Sequence, residues 1–317
     1  MMALAIIICT WNRADSLRAT LASLAGQSGI DSLEVIVVDN NSSDDTAAVV
    51  AEVAAAWPLG SLHYVFEGRQ GKQFALNSGI RASTAQVLGF TDDDIIFPPD
   101  WASNIVAAFA DPAIDVAGGR TLLTWPAGIP PWYDDSMAAI LGGVDLGHTR
   151  LLSPPPGYAP AGANLVARRS VFERVGMFSE AHFRHMDYEF GQRCFHAGVA
   201  VAYEPSLLVW APVDPAMLSR RYFKRWSFKA GIVHENDAPS DAALFLRVPR
   251  WVFRQLLTDV VKLPFDVVRG SAGARFARQL RIWRSAGTIA SLWYVWLWPD
   301  KFPQWVAKYS QKRQNVY

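Results

Sequence analysis

Four short strand-like runs separated by helix-like segments constrain this chain more than any other feature. A-L-A-I-I-I-C (3–9) is continuously apolar, the pattern of a strand buried on both faces. L-E-V-I-V-V-D (33–39) is a second buried strand ending in Asp39, and L-H-Y-V-F (62–66) is a third. A-Q-V-L-G-F (85–90) is a fourth, and it runs into Asp92-Asp93-Asp94. Between them lie S-L-R-A-T-L-A-S-L-A (16–25), with Asp15 or Ser16 as its cap, an Ala/Val-rich helix over 46–56, and G-K-Q-F-A-L-N-S-G-I-R-A-S (71–83). This rhythm predicts βαβ units and a mostly parallel sheet. Ligands of such sheets bind beyond the carboxyl ends of strands, so Asp39 and the three aspartates are expected to line one crevice. Residues 119–163, rich in Pro, Gly and Trp, read as loop-dominated, and long ordered loops in compact domains are often functional. Helical patterns return at 169–175 and 187–197.

The 317 residues leave room for one large α/β domain, alone or with an appendage. Residues 245–317 hold thirteen Lys or Arg against three acids, Asp259, Asp266 and Asp300, a net of +10. The whole chain is +1, so residues 1–244 carry −9, and an acidic body is joined to a basic tail. Cys9 falls in a strand pattern and Cys194 in a helical one, which reads as two buried thiols rather than a disulfide or metal pair. The apolar N-terminus is too short for a signal peptide and fits a first buried strand. No uninterrupted apolar run reaches about 18 residues, so an ordinary membrane span is not expected. The body of the chain is expected in the cytoplasm.

Three adjacent carboxylates repel one another unless something compensates. A hard divalent cation, Mg²⁺ or Mn²⁺, would do so, and Mg²⁺ is usually held by one or two carboxylates plus substrate phosphates. The other reading is an acidic turn before I-I-F returns to the core, and the triplet alone leaves both open. G-x-x-x-x-G-K-[ST] is missing and G-R-Q-G-K-Q-F lacks its spacing, which argues against a nucleoside triphosphatase.

The ordered set decides more than any member of it. I-I-I-C-T-W-N-R, V-I-V-V-D-N-N-S-S-D-D-T, G-K-Q-F-A-L-N-S-G-I and F-T-D-D-D are followed by A-G-A-N-L-V-A-R-R (161–169), H-M-D-Y-E-F-G-Q-R-C-F-H-A-G (185–198) and R-R-Y-F-K-R-W-S-F-K-A-G (220–231). Across residues 3–231 this resembles the family 2 glycosyltransferases. The resemblance implies the GT-A fold, an α/β, Rossmann-like, mixed but mostly parallel sheet with helices on both faces. It implies that Thr10, Asn12, Arg13 and Asp39 contact the nucleotide base and ribose, and that Lys72 lies near base or diphosphate. Asp92-Asp93-Asp94 would be the D-x-D motif, with Asp92 toward ribose, Asp94 on the metal and Asp93 pointing elsewhere. Asp187 matches the acid that serves inverting members as general base, with Met186 where a Glu is usual and Glu189 as second choice. Without the resemblance, Asp187 reads as a helix N-terminal acid favoured by the dipole. Gly162 and Asn164 would shape the acceptor end.

Two departures matter. Ala211 stands where many relatives carry a His that in some enzymes ligates the metal, so Asp94, Asp92, diphosphate and water would complete the shell. His234 could otherwise be borrowed, unless it is simply solvated. Tyr222 replaces the Gln of the Q-x-x-R-W motif of processive synthases, ahead of Arg225 and Trp226, which points to single-sugar transfer. Arg221, Arg225 and Trp226 would lie on the donor side, unless the arginines only pair at the surface.

Six of the 13 tryptophans, among them Trp293, Trp296 and Trp298, fall in the basic tail. L-W-Y-V-W-L-W (292–298) is too short to span a bilayer but suits its interface. Basic amphipathic helices carrying Trp and Phe lie on anionic membranes; the alternative is a helical subdomain packing its tryptophans against the body. Nucleic acid is not expected, because the acidic body opposes it and no binding motif occurs. The expected organisation is a domain over 1–244, with a donor half 1–118 and an acceptor half 119–244, then a helical tail over 245–317. The expected function is metal-dependent, inverting transfer of one sugar from a UDP-, GDP- or dTDP-sugar. The acceptor would be a lipid-linked or cell-envelope glycan at the inner face of the cell membrane. The alternatives are a processive synthase, or a scaffold that binds sugar nucleotides or glycans without catalysis.

Overall fold

Alternate residues of β1 (Leu4–Thr10) fill two different cores. Leu4, Ile6 and Ile8 join Leu17, Leu21, Trp101 and Ile105 on one side, while Ala5, Ile7 and Cys9 join Leu76, Ile80 and Phe190 on the other. A strand buried on both faces has no need of polar alternation. The computed structural model describes residues 3–155, 158–180, 186–233 and 243–310. The chain forms two compact units, one from Met1–Thr124 and Gly142–Pro212, the other from Trp125–Leu141 and Val213–Tyr317.

The first unit runs α1 (Ala14–Ala25), β2 (Glu34–Asp39), α2 (Thr46–Ala55), β3 (Ser61–Phe66), α3 (Lys72–Ala82), β4 (Val87–Asp92) and α4 (Trp101–Phe109). It continues through β5 (Val116–Gly118), β6 (Thr121–Thr124), β7 (Leu165–Arg168), α5 (Arg169–Val175), α6 (Met186–His196), β8 (Val201–Tyr203) and β9 (Val209–Pro212). Seven strands form one sheet in the order β3-β2-β1-β4-β7-β5-β8. All neighbours are parallel except β7, which runs antiparallel to β4 and β5, so the sheet is mixed and mostly parallel. Register then does the positioning: Thr10 pairs with Asp39, and Cys9 with Asp92. Three strand ends therefore finish in one row. The span expected to be loop-dominated also holds β6, which pairs with β9, and a 3₁₀ segment, Asp135–Leu141.

One local expectation fails. Neither Asp15 nor Ser16 caps α1; the carboxylate of Asp44, from the β2–α2 turn, accepts from the Ala14 N–H at 3.0 Å. An acid at a helix N-terminus need not be close in sequence, only in space.

The second unit is helical: α7 (Arg220–Val233), a two-strand hairpin of β10 (Leu244–Phe245) and β11 (Val248–Pro249), α8 (Arg250–Arg269), α9 (Ala272–Leu297) and α10 (Phe302–Ser310). Trp132 stands edge-on to both Phe223 and Phe276, at 5.1 Å in each case. Helices α7 and α9 touch backbone to backbone. A Cβ on Gly231 would lie 2.1 Å from the Arg284 carbonyl, and one on Gly287 would lie 2.1 Å from that of Phe228. Among the described residues no helix is long and apolar enough to cross a membrane.

Candidate active site

The row of strand ends gathers polar and charged side chains. Asp39, last residue of β2, is buried. One carboxylate oxygen accepts from the Ser42 N–H at 2.8 Å and the other from the Tyr64 hydroxyl at 2.8 Å. Burial, with Asp39 next to it, pushes the Tyr64 phenol up to about 12. The following residue, Asn40, ties down the β3–α3 loop: its amide donates to the Arg69 carbonyl at 2.7 Å and accepts from the Gly71 N–H at 2.7 Å. Asn12 adopts a left-handed backbone (φ 51°), and its side-chain oxygen accepts from the Ser43 N–H at 2.7 Å. The β1–α1 and β2–α2 loops are thus bolted together at the mouth of the crevice.

The aspartates diverge from one point. Asp92 ends β4 and pairs with the Lys72 ammonium at the start of α3. Asp93 turns inward and is buried; burial pushes its carboxyl up to about 6 against the pull of Arg13. Asp94 is more exposed and takes the Arg13 guanidinium at 2.6 Å, while Asp93 shares the same nitrogen at 3.1 Å. Ser16 donates to the Asp93 carbonyl at 2.8 Å. The Thr10 hydroxyl is close enough to favour the Asp93 carboxylate, yet it is buried without a hydrogen bond of ordinary geometry. Beneath them, burial pushes the Cys9 thiol up to about 12. The repulsion within the triplet is therefore met by two of the chain's own cations.

A second wall comes from α6. The Thr91 hydroxyl donates to the Ala163 carbonyl at 2.9 Å and fixes the 161–164 loop to the end of β4. Gly162 N–H in turn donates to the Asp187 carboxylate at 2.8 Å, whose other oxygen accepts from the Tyr188 N–H at 2.9 Å. Burial opposes charge on Lys72, but Asp92 above all, with Asp187 adding, holds its ammonium above the ordinary lysine range. The 161–164 loop, bonded to Thr91 on one side and to Asp187 on the other, brings Asp187 toward the end of β4, where Asp92 stands. Glu189 is spent elsewhere: Arg193 clasps it at 2.6 and 3.0 Å and also donates to the carbonyls of Gly176 and Met177.

Asn164 is 1 % exposed. It donates to the carbonyls of Arg120 and Leu207 and accepts from the Trp101 indole at 3.2 Å, so its side chain holds the loop from beneath. Arg221 and Arg225 are exposed and Trp226 half-buried on α7, in the second unit. His234 lies outside the described residues. Ala211 sits on β9 with its methyl against the core.

Among the described residues no three His, Cys, Asp or Glu side chains gather as a cation site. Asp92 and Asp94, with side chains 36 % and 35 % exposed, are hard oxygen donors that face outward. This donor set fits a Mg²⁺ or Mn²⁺ that takes one or two carboxylates and draws its remaining ligands from substrate phosphate and water. Tyr64, Asn40 and Asp44 belong to the site and escape sequence reading. Asn40 and Asp44 lie in the N-N-S-S-D-D turn, where their polar type was visible but not their targets; Tyr64 carries no local signal.

The family model described as glycosyl transferase family 2 matches residues 5–175. Among curated proteins, the pre-mycofactocin glycosyltransferase of Mycobacterium tuberculosis is 27% identical over 289 residues, covering 87% of this chain and 57% of that protein. The chain therefore spans little more than half of that relative's length. Glycosyltransferase AglE of Haloferax volcanii is 25% identical over 213 residues, covering 66% of this chain and 67% of that one. Among solved structures, the mannosyltransferase PcManGT of Pyrobaculum calidifontis, in complex with GDP-Man and Mn²⁺, superposes with a TM-score of 0.61 at 20% identity, over 94% of this chain and 87% of that one. TarS 1–349 of S. aureus in complex with UDP gives 0.53 at 15% identity, over 91% of each chain. These likenesses show the fold.

Proposed function

Because the chain belongs to glycosyl transferase family 2, we propose that it moves one sugar from a nucleotide-sugar donor to an acceptor hydroxyl, with inversion at the anomeric carbon. One observation carries the reading: Asp39 and Asp92 end β2 and β4 on either side of β1, with Asp94 in the turn after β4, and the 161–164 loop, tied to Thr91 of β4, holds Asp187. PcManGT holding GDP-Man with Mn²⁺, and TarS holding UDP, support a nucleotide donor.

In this reading Asp39, with Thr10, Asn12 and Arg13, holds base and ribose, and Asp92 reaches the ribose. Lys72 exchanges its carboxylate partner for a donor phosphate oxygen. Asp94, with Asp92 beside it, would hold a Mn²⁺ or Mg²⁺, whose positive charge would favour the leaving diphosphate. The acceptor oxygen bonds to the anomeric carbon as the bond to the diphosphate oxygen breaks, and the acceptor's proton passes to Asp187. Gly162 N–H holds that carboxylate in position. Glu189, already clasped by Arg193, is the poorer base. The acceptor is a glycan or lipid-linked sugar, reached from the inner, anionic face of the cell membrane.

The test is turnover of UDP-, GDP- and dTDP-sugars with Mn²⁺. At least one should be hydrolysed or transferred, and Asp94→Ala and Asp187→Asn should abolish it. Donor binding without turnover across suitable acceptors would replace this reading with a non-catalytic scaffold, and long products would replace it with a processive synthase.

A further inference from the structure

Helix α8 is built inside out. Its two acids face the helical core: Asp259 is 1 % exposed, with Arg278 at 2.8 Å and Arg281 at 2.9 Å, and Asp266 also pairs with Arg278. Gln255 turns the same way and donates to Asp259 at 2.8 Å. The opposite face is apolar and bare. Leu257, Val260, Val261, Phe265, Val267 and Val268 recur at helical spacing, with Phe265 65 % and Val268 81 % exposed. A water-soluble helix puts its apolar stripe inward; this one buries Val252 beside an ion-pair cluster and leaves Val260, Val261, Val267 and Val268 in solvent.

The hairpin extends the face. Leu244, Phe245 and Leu246 are each more than half exposed, and Phe245 stands edge-on to Phe253 of α8 at 5.6 Å. The turn residues Leu246 and Arg247 have φ of 48° and 65°, a left-handed backbone that costs non-glycine residues energy. The Trp293 indole braces the turn by donating to the Leu246 carbonyl at 3.0 Å. An exposed leucine held at the tip of a strained turn gains nothing from water.

Charge identifies what covers this surface. With both α8 acids turned in, the exposed charges on hairpin and helix are Arg247, Arg250, Arg254, Lys262 and Arg269. A two-fold contact between copies brings the same patch together with itself and would set these cations against one another. An anionic lipid surface accepts them, with the apolar face sunk among the acyl chains and the arginines at the headgroups. We propose that the outer face of α8 and the 244–247 hairpin tip form a monotopic, in-plane membrane-binding surface selective for anionic lipid. This gives the membrane contact of the preceding reading its residues. It is measured without donor or acceptor, so it stands or falls separately from the transfer chemistry.

The experiment is flotation of the full chain with phosphatidylcholine vesicles, with and without phosphatidylglycerol. Wild type should float with the anionic vesicles. Val261→Asp with Phe265→Asp should abolish this without changing the thermal midpoint or helix content, because both side chains face solvent. Arg254→Gln and Lys262→Gln should each lower binding to anionic vesicles roughly fivefold. The proposal is overturned if wild type stays with the soluble fraction, or if the double aspartate variant still floats. It is also overturned if wild type ignores vesicles and sediments as a dimer that the same variant splits, since a second copy would then be the occupant.

Discussion

Two aspartate–arginine clusters in this chain use the same chemistry and differ in exposure. In the sheet unit, Asp93 and Asp94 share Arg13, and both Asp94 and Arg13 keep about a third of their side chains in solvent (35 % and 30 %). In the helical unit, Asp259 holds Arg278 and Arg281 while only 1 % exposed. A half-exposed pair is worth little to stability because water screens it and competes for it, so its partners can be exchanged for a ligand. A buried pair cannot open without stranding a charge. The first arrangement suits a binding site and the second a structural joint.

The comparison breaks most visibly in activity. Asp187→Asn should lower kcat by about 10²–10⁴-fold, the usual range for losing a general base, with donor affinity unchanged and a modest loss of thermal midpoint, since the amide keeps only one of the two N–H bonds from Gly162 and Tyr188. Glu189→Gln should do the reverse, loosening the Arg193 clamp and lowering the midpoint while kcat of the folded fraction holds. If Glu189→Gln lost turnover at full stability and Asp187→Asn kept it, the roles of the two acids would be exchanged.

Stability comes next. Asp259→Ala should cost about 3 kcal/mol, chiefly by leaving the mostly buried Arg278 with Asp266 as its one acid while half-exposed Arg281 turns to water, whereas Asp94→Ala should cost less than about 1 kcal/mol. Urea unfolding of both variants measures this, and equal losses would remove the distinction drawn from exposure. A smaller effect tests the helical joint without touching charge. Gly287→Val places a side chain where the Phe228 carbonyl stands and should cost about 1–3 kcal/mol as an overpacked contact, with turnover in the folded fraction retained.

The two units were not equally legible. Parallel strands buried on both faces write themselves as apolar runs, and an acid after such a run is already at a strand end, so the row of Asp39 and Asp92 was readable from sequence. What was hidden depended on contacts distant in sequence. Asp44 reaches Ala14 across 30 residues, Asn164 turns out to be a bolt beneath the site, and Tyr64 finds Asp39 only because β3 lies beside β2. In the helical unit, composition announced a basic, aromatic segment but could not say which face of α8 points inward. That depends on Asp259 meeting Arg278 and Arg281 from the next helix, and pairing across helices leaves no periodic mark on either one.

The smallest effect sharpens the comparison from within the sheet unit, where Glu67 is the acid that most resembles Asp259. It is 8 % exposed, accepts from the Ser78 hydroxyl at 2.6 Å and from Arg69 through both guanidinium and backbone N–H, and so braces the loop leading to Lys72. Arg69 is the main reason its carboxyl falls from the ordinary 4.5 to about 2. Between those values the unfolded chain binds more protons than the folded one, so stability rises with pH there. Glu67's contribution is fully present above about pH 4.5 and is lost as pH falls through about 2. Glu67→Gln should therefore flatten the acid limb of stability against pH, measured by urea unfolding from about pH 5 down to about pH 3, and leave the neutral limb parallel to wild type. The Asp259 carboxyl is also held below its ordinary value, by Arg281 and Gln255 against the opposing effect of burial, so some acid sensitivity should survive in the variant. If the variant's acid limb matched wild type, the brace at Glu67 would be structural packing without charge, and Asp259 with the other lowered carboxyls, Asp44, Asp145 and Asp266 among them, would carry the acid response.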